Sequence, residues 1–444
     1  MRDMTSGPAY GHLWRYALPL LIGNWLQLAY NAVDSIIAGR FIGRDALAAE
    51  GIAAPVMNLV ILAVTGMCIG AGVLMSEAFG AKELDRLRKT FATTILFGSV
   101  LCCSATVLGI VLTPAILRAL AVPRGIYDMT AIYFRITFLG TPFTFFYNTL
   151  AAGLKSVGDS KTPLKFLAFS AVLNAVLDLI FLGLLGFGIV CSAVTTVIAE
   201  ALSALLAAVW LIRRFPELCP RQGDWRGDRA LLGRIVWYAA PTAMQQTVQP
   251  VCKVLIQRQI NLLGENVIAA FNAVTRFDNL AMIPEQSIAS AISTYIAQNR
   301  GAEKDERIRP GFRAGIRLEV LYWALICSVT FLLRAPAVSL FVTGDGSDEI
   351  VALGSGYLGY MAFFYIFPAF TNGIQGFFRG MGKMYTTIIG TVIQASLRVI
   401  FTVILLPHTG MVGVAFSCAI GWSFMLLFEI PYYFYTCKKK GIPK

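Results

Sequence analysis

Apolar runs of about 20 residues follow one another along the whole chain, and each is long enough to cross the hydrocarbon core of a bilayer. That repetition constrains the fold more than any motif. Backbone placed in lipid must satisfy its own N–H and C=O groups, so the runs are read as helices. A soluble helical core of this length would need long polar faces, and few of the runs have one. Charged residues make up only 14% of the 444, and mean hydropathy is +0.68. Twelve spans are predicted, at 13–38, 47–77, 91–118, 128–152, 164–186, 189–212, 236–261, 267–297, 316–342, 350–377, 385–406 and 411–436. The expected fold class is an all-α polytopic membrane protein with twelve transmembrane helices.

The net charge of +12 would point to nucleic acid in a soluble chain. Its distribution points elsewhere. Lys and Arg gather in alternate loops, at 81–89, 154–165, 213–234, 300–317, 378–383 and the tail 438–440, while the intervening turns are sparse in both. This is the positive-inside bias. It accounts for the charge without nucleic acid and puts both termini in the cytoplasm. The N-terminus shows no short apolar run followed by a small-residue cleavage site, so no signal peptide is expected. A multi-pass protein of the cytoplasmic (inner) membrane follows.

The chain reads as two copies of one unit. "IGRDALAAEGIA" (42–53) matches "LGENVIAAFNAV" (263–274), and "GAKELDRLRK" (80–89) matches "GAEKDERIRP" (301–310). "YALP" (16–19) matches "YAAP" (238–241), and "LKSVGD" (154–159) matches "FRGMGK" (378–383), all at an offset of 221 to 224. Six spans per copy is an even number, so both copies share one orientation in the membrane. The expected domains are an N-terminal six-helix lobe at 1–212, a cytoplasmic linker at 213–234 and a C-terminal six-helix lobe at 235–444. Parallel repeats of this kind place a substrate site near the midplane.

Much chemistry is missing. No phosphate-binding GxxxxGK[ST] occurs; "GMGKMY" (380–385) fails on spacing and on the Ser/Thr. Two His, His12 and His408, stand far apart, and the nine Cys lack metal-ligand spacing. No catalytic group, resident metal or cofactor is predicted, and the chain is not read as an enzyme.

Ionisable groups inside spans are costly and default to function. Asp34 closes the first span in "YNAVDSIIAG" (30–39). Span five carries Asn174 and Asp178, four residues apart and so on one helix face, and span six places Thr195 and Thr196 inside. Counting at ~1.5 Å per residue from the turns at Gly43, Gly186 and Gly188 puts Asp34, Asp178 and Thr196 at a common depth, roughly 12–14 Å from the outer helix ends. Two carboxylates close together in low dielectric need a counter-charge, so the site would hold a proton or Na⁺. Asp34, Asn174, Asp178 and Thr196 are the candidate cation ligands. A purely structural account stays open for Asn174, as an interhelical bridge, and for Thr196, bonded back to its own helix. In the second copy Asn174 maps to Arg398, Asp178 to Thr402 and Thr196 to Cys418, so no acidic cluster repeats there. That copy has other polar residues: Gln245, Gln249 and Lys253 in span seven, Arg276, Asp278 and Glu285 in span eight, and Arg398 in span eleven. Gln245, Gln249, Lys253, Glu285 and Arg398 are candidates for the wall of a substrate cavity. Gln245 and Gln249 equally suit bridges between helices, and Arg276 and Asp278 a pair.

The stretches "ALPLLIGNWLQLAYNAVDSIIAGRFIGRDALAAEGIAAP" (17–55), "GAKELDR" (80–86), "GLKSVGDSKTP" (153–163), "NAVLD" (174–178) and "IAAFNAVTRFDNLAMIPEQSIASAISTYIAQNRGA" (268–302) resemble the multidrug and toxic compound extrusion (MATE) transporters. The resemblance covers nearly the whole chain. It implies two six-helix lobes forming a V-shaped cleft, H⁺- or Na⁺-driven export of drugs and metabolites, and a monomer. It also implies a coupling cation at Asp34, Asn174, Asp178 and Thr196. One branch of the family carries a functional Glu in span seven and an Asp in span ten; this sequence has neither. Lys253 and Arg398 leave room for an anionic or zwitterionic substrate. The expected partners are a small-molecule substrate and membrane lipid. The rival readings are a lipid-linked saccharide flippase, which often has extra spans and many cationic cleft residues, and an intramembrane transferase, which would need an acidic or His cluster at the cytoplasmic interface.

Overall fold

A computed structural model describes residues 2–342 and 347–443, and among them there is no strand. Thirteen α-helices account for most of the described chain: α1 Ala9–Phe41, α2 Arg44–Gly80, α3 Leu84–Ala119, α4 Arg124–Ser156, α5 Lys161–Asp178, α6 Ile189–Arg214, α7 Arg229–Ile260, α8 Glu265–Gly301, α9 Ile308–Ser339, α10 Ser347–Phe364, α11 Ile366–Gly380, α12 Met384–Thr409 and α13 Met411–Lys439. Helices α10 and α11 meet at Tyr365 with a bend of 46° and together make one broken span. The result is an all-α architecture of twelve spans, as the sequence predicts. Most helices run several residues beyond the predicted spans, because the turn continues into the polar loops after the apolar run has ended.

Among the described residues, seven helices are long and apolar enough to cross a membrane by length and composition alone, and the bent pair counted as one span makes an eighth. Of the others, α7 and α8 are the most polar spans, with Gln245, Gln249 and Lys253 in α7 and Arg276, Asp278 and Glu285 in α8. Side chains that would be solvated in lipid only at a cost must instead face protein or a cavity.

The internal repeat is written into the backbone. Gly43, between α1 and α2, has φ 98°, and Gly264, between α7 and α8, has φ 99°. Only glycine takes that conformation freely, so the match fixes the register of the two copies. After α2 the residue Lys82 lies at φ 60°, and after α8 Glu303 lies at φ 56°. Both turns close with the same bonds: Glu83 N–H to the Ala78 carbonyl in one, Lys304 N–H to the Asn299 carbonyl in the other. Departures from the repeat are local. Span five ends in a π-helical stretch, Leu179–Leu184, that its counterpart α12 lacks. Helix α4 is continuous where α10 and α11 are broken.

The chain forms two compact units, one of Met1–Asp3 with Ile22–Ala243 and one of Met4–Leu21 with Met244–Lys444. The first half of α1 thus belongs to the second unit. It is tied there by Met4 N–H to Gln298 Oε1 (3.0 Å), Arg307 to the Gly7 carbonyl (2.6 Å) and Tyr16 to Thr294 (3.1 Å). The first half of α7 belongs to the first unit, where Gly66 and Gly70 of α2 bring its backbone close: a Cβ on Gly70 would lie 2.5 Å from the Tyr238 carbonyl oxygen. Small residues permit such approaches in lipid, where burial of apolar surface drives nothing. The segment 213–234 is only partly a linker, since it holds two 3₁₀ turns and α7 begins at Arg229. Within the first unit Met75, Leu87, Phe91, Phe145 and Leu154 form an apolar core. Within the second, Ile256, Tyr357, Met361, Tyr365 and Trp422 form another.

Candidate functional site

Three helices of the first unit bring the predicted cation residues together. Asp34 sits about 10 Å before the end of α1, Asp178 about 9 Å before the end of the π-helical stretch, and Thr195 about 9 Å after the start of α6. The sequence places Asp34 and Asp178 at a common depth with Thr196, and the residue beside Asp178 is instead Thr195. Asp178 is fully buried, at the junction where α5 passes into the π-helical turns, and Asn174 is 1% exposed. Such π turns recur at functional sites because they re-aim side chains.

The carboxyls of Asp34 and Asp178 lie close enough to act on each other electrostatically. Each oxygen of Asp178 also receives a donor. The Thr195 hydroxyl donates to Oδ1. The Asn174 amide, oriented by its neighbours, donates from Nδ2 to Asp178 Oδ2 (3.0 Å) and to the Tyr30 hydroxyl (3.1 Å), while its oxygen accepts from the Thr196 N–H (3.1 Å). Asp34 Oδ1 is buried without a partner. Donors thus reach both oxygens of Asp178, while one oxygen of Asp34 has none. Thr196 has a different part. Its hydroxyl lies 3.0 Å from the Ser192 carbonyl of its own helix and 3.1 Å from Asn174. It steadies Asn174, and the hydroxyl on Asp178 is that of Thr195.

Tyr30 precedes Asp34 by one helical turn on the same face, a spacing readable in the sequence. Glu200, one turn after Thr196, accepts from the Thr144 hydroxyl at 2.7 Å and acts electrostatically on Tyr30. Glu50 of α2 acts on Asp178. Sequence reading passed over Glu50 and Glu200 although each is a lone acid inside an apolar run.

The second unit keeps the frame of this site without its charge. Thr402 and Ser417 stand where the repeat places counterparts of Asp178 and Thr195, and their hydroxyls are 2.8 Å apart. The five residues assigned to a cavity wall separate into three groups. Lys253 and Arg398 line one cavity of about 310 Å³ together with Asp278, Asn279 and Trp422. Both oxygens of Asp278 are taken by the hydroxyls of Tyr357 (2.8 Å) and Tyr365, and Lys253 donates to Asn279 Oδ1 at 3.0 Å. Gln245 and Gln249 do not line that cavity. Gln245 donates to Gln375 Oε1 (2.7 Å) and Thr391 (3.0 Å), and Gln249 to Gln394 Oε1 (2.8 Å), so both bridge α7 to its neighbours. Glu285 is also elsewhere, fully buried beside Asn372 at 3.4 Å. Arg276 and Asp278 do not pair; two residues apart on one helix they face differently, and Arg276 stacks over Phe341 at 5.9 Å. All nine Cys are free.

The MatE family model matches residues 19–180 and again 241–404, once in each copy of the repeat. Two proteins of Bacillus subtilis (strain 168) are similar over nearly their whole length. "Probable multidrug resistance protein YpnP" is 26% identical over 98% of this chain and 96% of its own. "Probable multidrug resistance protein YoeA" is 28% identical over 99% and 98%. Among solved structures, a MOP superfamily transporter from Pyrococcus furiosus Vc1 superposes with a TM-score of 0.90 at 21% identity, over 97% of this chain and 96% of that one.

Proposed function

Because the chain belongs to the MatE family of multi-pass membrane transporters, we propose that it is a proton-coupled antiporter that exports organic compounds across the cytoplasmic membrane. The observation that carries this reading is the facing pair Asp34 and Asp178, with one oxygen of Asp34 buried and unpartnered. Two carboxyls at that distance in low dielectric hold one proton between them more readily than two negative charges. Thr195 and Asn174 stabilise Asp178 as the acceptor, so the exchangeable proton resides on Asp34. The pair lies nearer the outer ends of its helices in the orientation that the positive-inside bias implies, with both termini in the cytoplasm. Proton uptake there from outside removes the repulsion within the pair, draws α1 toward α5 and α6, and by that shift favours release of substrate outward. Loss of the proton to the cytoplasm resets the site.

Protons are favoured over Na⁺ by the same bonds. A bound Na⁺ needs several oxygen ligands at once, whereas Asn174, in the orientation that satisfies its neighbours, presents its N–H rather than its oxygen to Asp178. The second unit bears on the substrate. Its cavity holds two cations against one carboxylate whose oxygens are satisfied by tyrosines. That surplus of positive charge favours an organic anion or zwitterion. The protein is proposed to act as a monomer, since each candidate site is complete within one chain.

Purified protein in liposomes, loaded with ethidium or with carboxyfluorescein, tests the reading under an imposed pH gradient and, separately, a Na⁺ gradient. The pH gradient should drive export, carboxyfluorescein should be preferred, and Asp34→Asn should abolish export while the protein remains folded in the bilayer. Full export by Asp34→Asn would refute the role of the pair, and export driven by Na⁺ alone would refute the choice of proton.

A further inference from the structure

A second acid pair lies in the second unit, apart from Asp34 and Asp178 and from the cavity of Lys253 and Arg398. Glu285 of α8 and Glu319 of α9 are both 0% exposed. They lie close enough to act on each other electrostatically, and Tyr322, one turn after Glu319, faces both. Three of their four carboxyl oxygens are buried with no hydrogen-bond partner: Glu285 Oε1 and both oxygens of Glu319. Glu285 Oε2 accepts a long bond from Asn372 of α11 at 3.4 Å. Tyr322 spends its own proton on the Ala281 carbonyl at 2.7 Å. The remaining titratable group facing the pair is Tyr365, at the break between α10 and α11, whose hydroxyl is committed to Asp278. Among the described residues no Lys, Arg or His forms an ion pair with either glutamate.

The fold does not require acids at these positions. The repeat places Val64 and Gly98 of the first unit where Glu285 and Glu319 stand in the second. Val64 is core, and the ring of Phe145 covers Gly98 so closely that a Cβ would meet it at 2.1 Å. One copy fills the position with apolar packing; the other keeps two buried carboxyls with no ion pair among the described residues. Depth adds to the argument. Glu319 lies about 17 Å into α9 and Glu285 about 24 Å from the end of α8, well inside the span. Two buried, unpaired carboxylates at one place are not tolerated as a pair of anions.

We propose that Glu285 and Glu319 form a second proton-binding site, independent of Asp34 and Asp178, which takes up and releases a proton as the second unit changes its exposure to water. Protonation makes one carboxyl a donor to the other and removes the net charge. Release requires water or a cation to reach the pair, which ties deprotonation to an opened state of α8, α9 and α11.

Infrared difference spectroscopy on the full-length protein in lipid nanodiscs, stepped between acid and alkaline pH, reads buried carboxylic acids through their C=O stretch. Four proteins are compared: wild type, Glu285→Gln/Glu319→Gln, Asp34→Asn/Asp178→Asn, and the quadruple variant. Gln is close in shape to a protonated Glu, so folding should survive, and thermal unfolding of each variant checks that it has. The wild type should show titrating bands from two sites. One should persist in Asp34→Asn/Asp178→Asn and vanish in the quadruple variant. A titrating signal unchanged by Glu285→Gln/Glu319→Gln would overturn the proposal. So would a Glu285/Glu319 band that never bleaches across the range, because a permanently neutral pair exchanges no proton. Neither result depends on whether the first pair couples transport.

Discussion

Thr195 and Thr196 differ by one position and by about 100° around α6, and that rotation decides which hydroxyl reaches Asp178. Depth along a helix is countable in the sequence, so Asp34, Asn174 and Asp178 are legible at that scale. The direction a side chain faces depends on how the helix is turned against its neighbours, so the exchange of roles between the two threonines is not. Tyr30 was legible, being one turn from Asp34, and so were Glu50, Glu200 and Glu319 as single acids in apolar runs. The distinction has a measurable consequence. The Thr195 hydroxyl donates to Asp178 itself, so Thr195→Val should displace the pH profile of export. Thr196→Val removes a bond to Asn174 and its own helix, and should lower the rate by a few-fold without moving the profile. Flux measured across a series of external pH values separates the two. The wild-type rate itself should fall as external pH rises, because uptake of the driving proton becomes unfavourable.

Helices in this chain are placed by small residues as much as by large ones. Gly70 of α2 admits the backbone of α7, where a Cβ would lie 2.5 Å from the Tyr238 carbonyl oxygen and 2.7 Å from Ala239 Cα. Backbone on both sides leaves no room to yield. Gly70→Val should therefore cost about 1–3 kcal/mol or more and lower the thermal midpoint in detergent. Gly51→Val, with nothing within 4 Å of its Cβ, should leave the midpoint unchanged. Equal midpoints for the two variants would argue against a close α2–α7 approach. At this scale the existence of every span was legible, because a bilayer imposes a minimum apolar length. The break at Tyr365 was not. Pro368 stands in the first turn of α11, yet Pro55, Pro142 and Pro284 lie inside unbroken helices, so proline alone does not mark a break.

Across the whole molecule, the two copies share a backbone and divide the chemistry. The first keeps Asp178 and Thr195 where the second has Thr402 and Ser417, and the second carries the cationic cavity. Duplicate turns made the repeat legible, since Gly43 and Gly264 must both be glycine for the same reason. The exchange of the first halves of α1 and α7 between units was not legible, since it depends on contacts far apart in sequence. Orientation in the membrane rests on charge and is open to direct test. In a cysteine-free background, Phe187→Cys should react with a membrane-impermeant maleimide added to intact cells, and Gln222→Cys only after permeabilisation; the reverse pattern would invert the topology. The most direct test of the central claim uses the reciprocity of coupling. Liposomes containing the protein are given a gradient of whichever dye it carries, ethidium or carboxyfluorescein, with no pH gradient, and lumenal pH is followed. Dye flux through the wild type should move protons in the opposite direction, and Asp34→Asn should move none. Proton movement of equal size in Asp34→Asn, or dye flux through the wild type with no change in lumenal pH, would contradict a coupling proton held between Asp34 and Asp178.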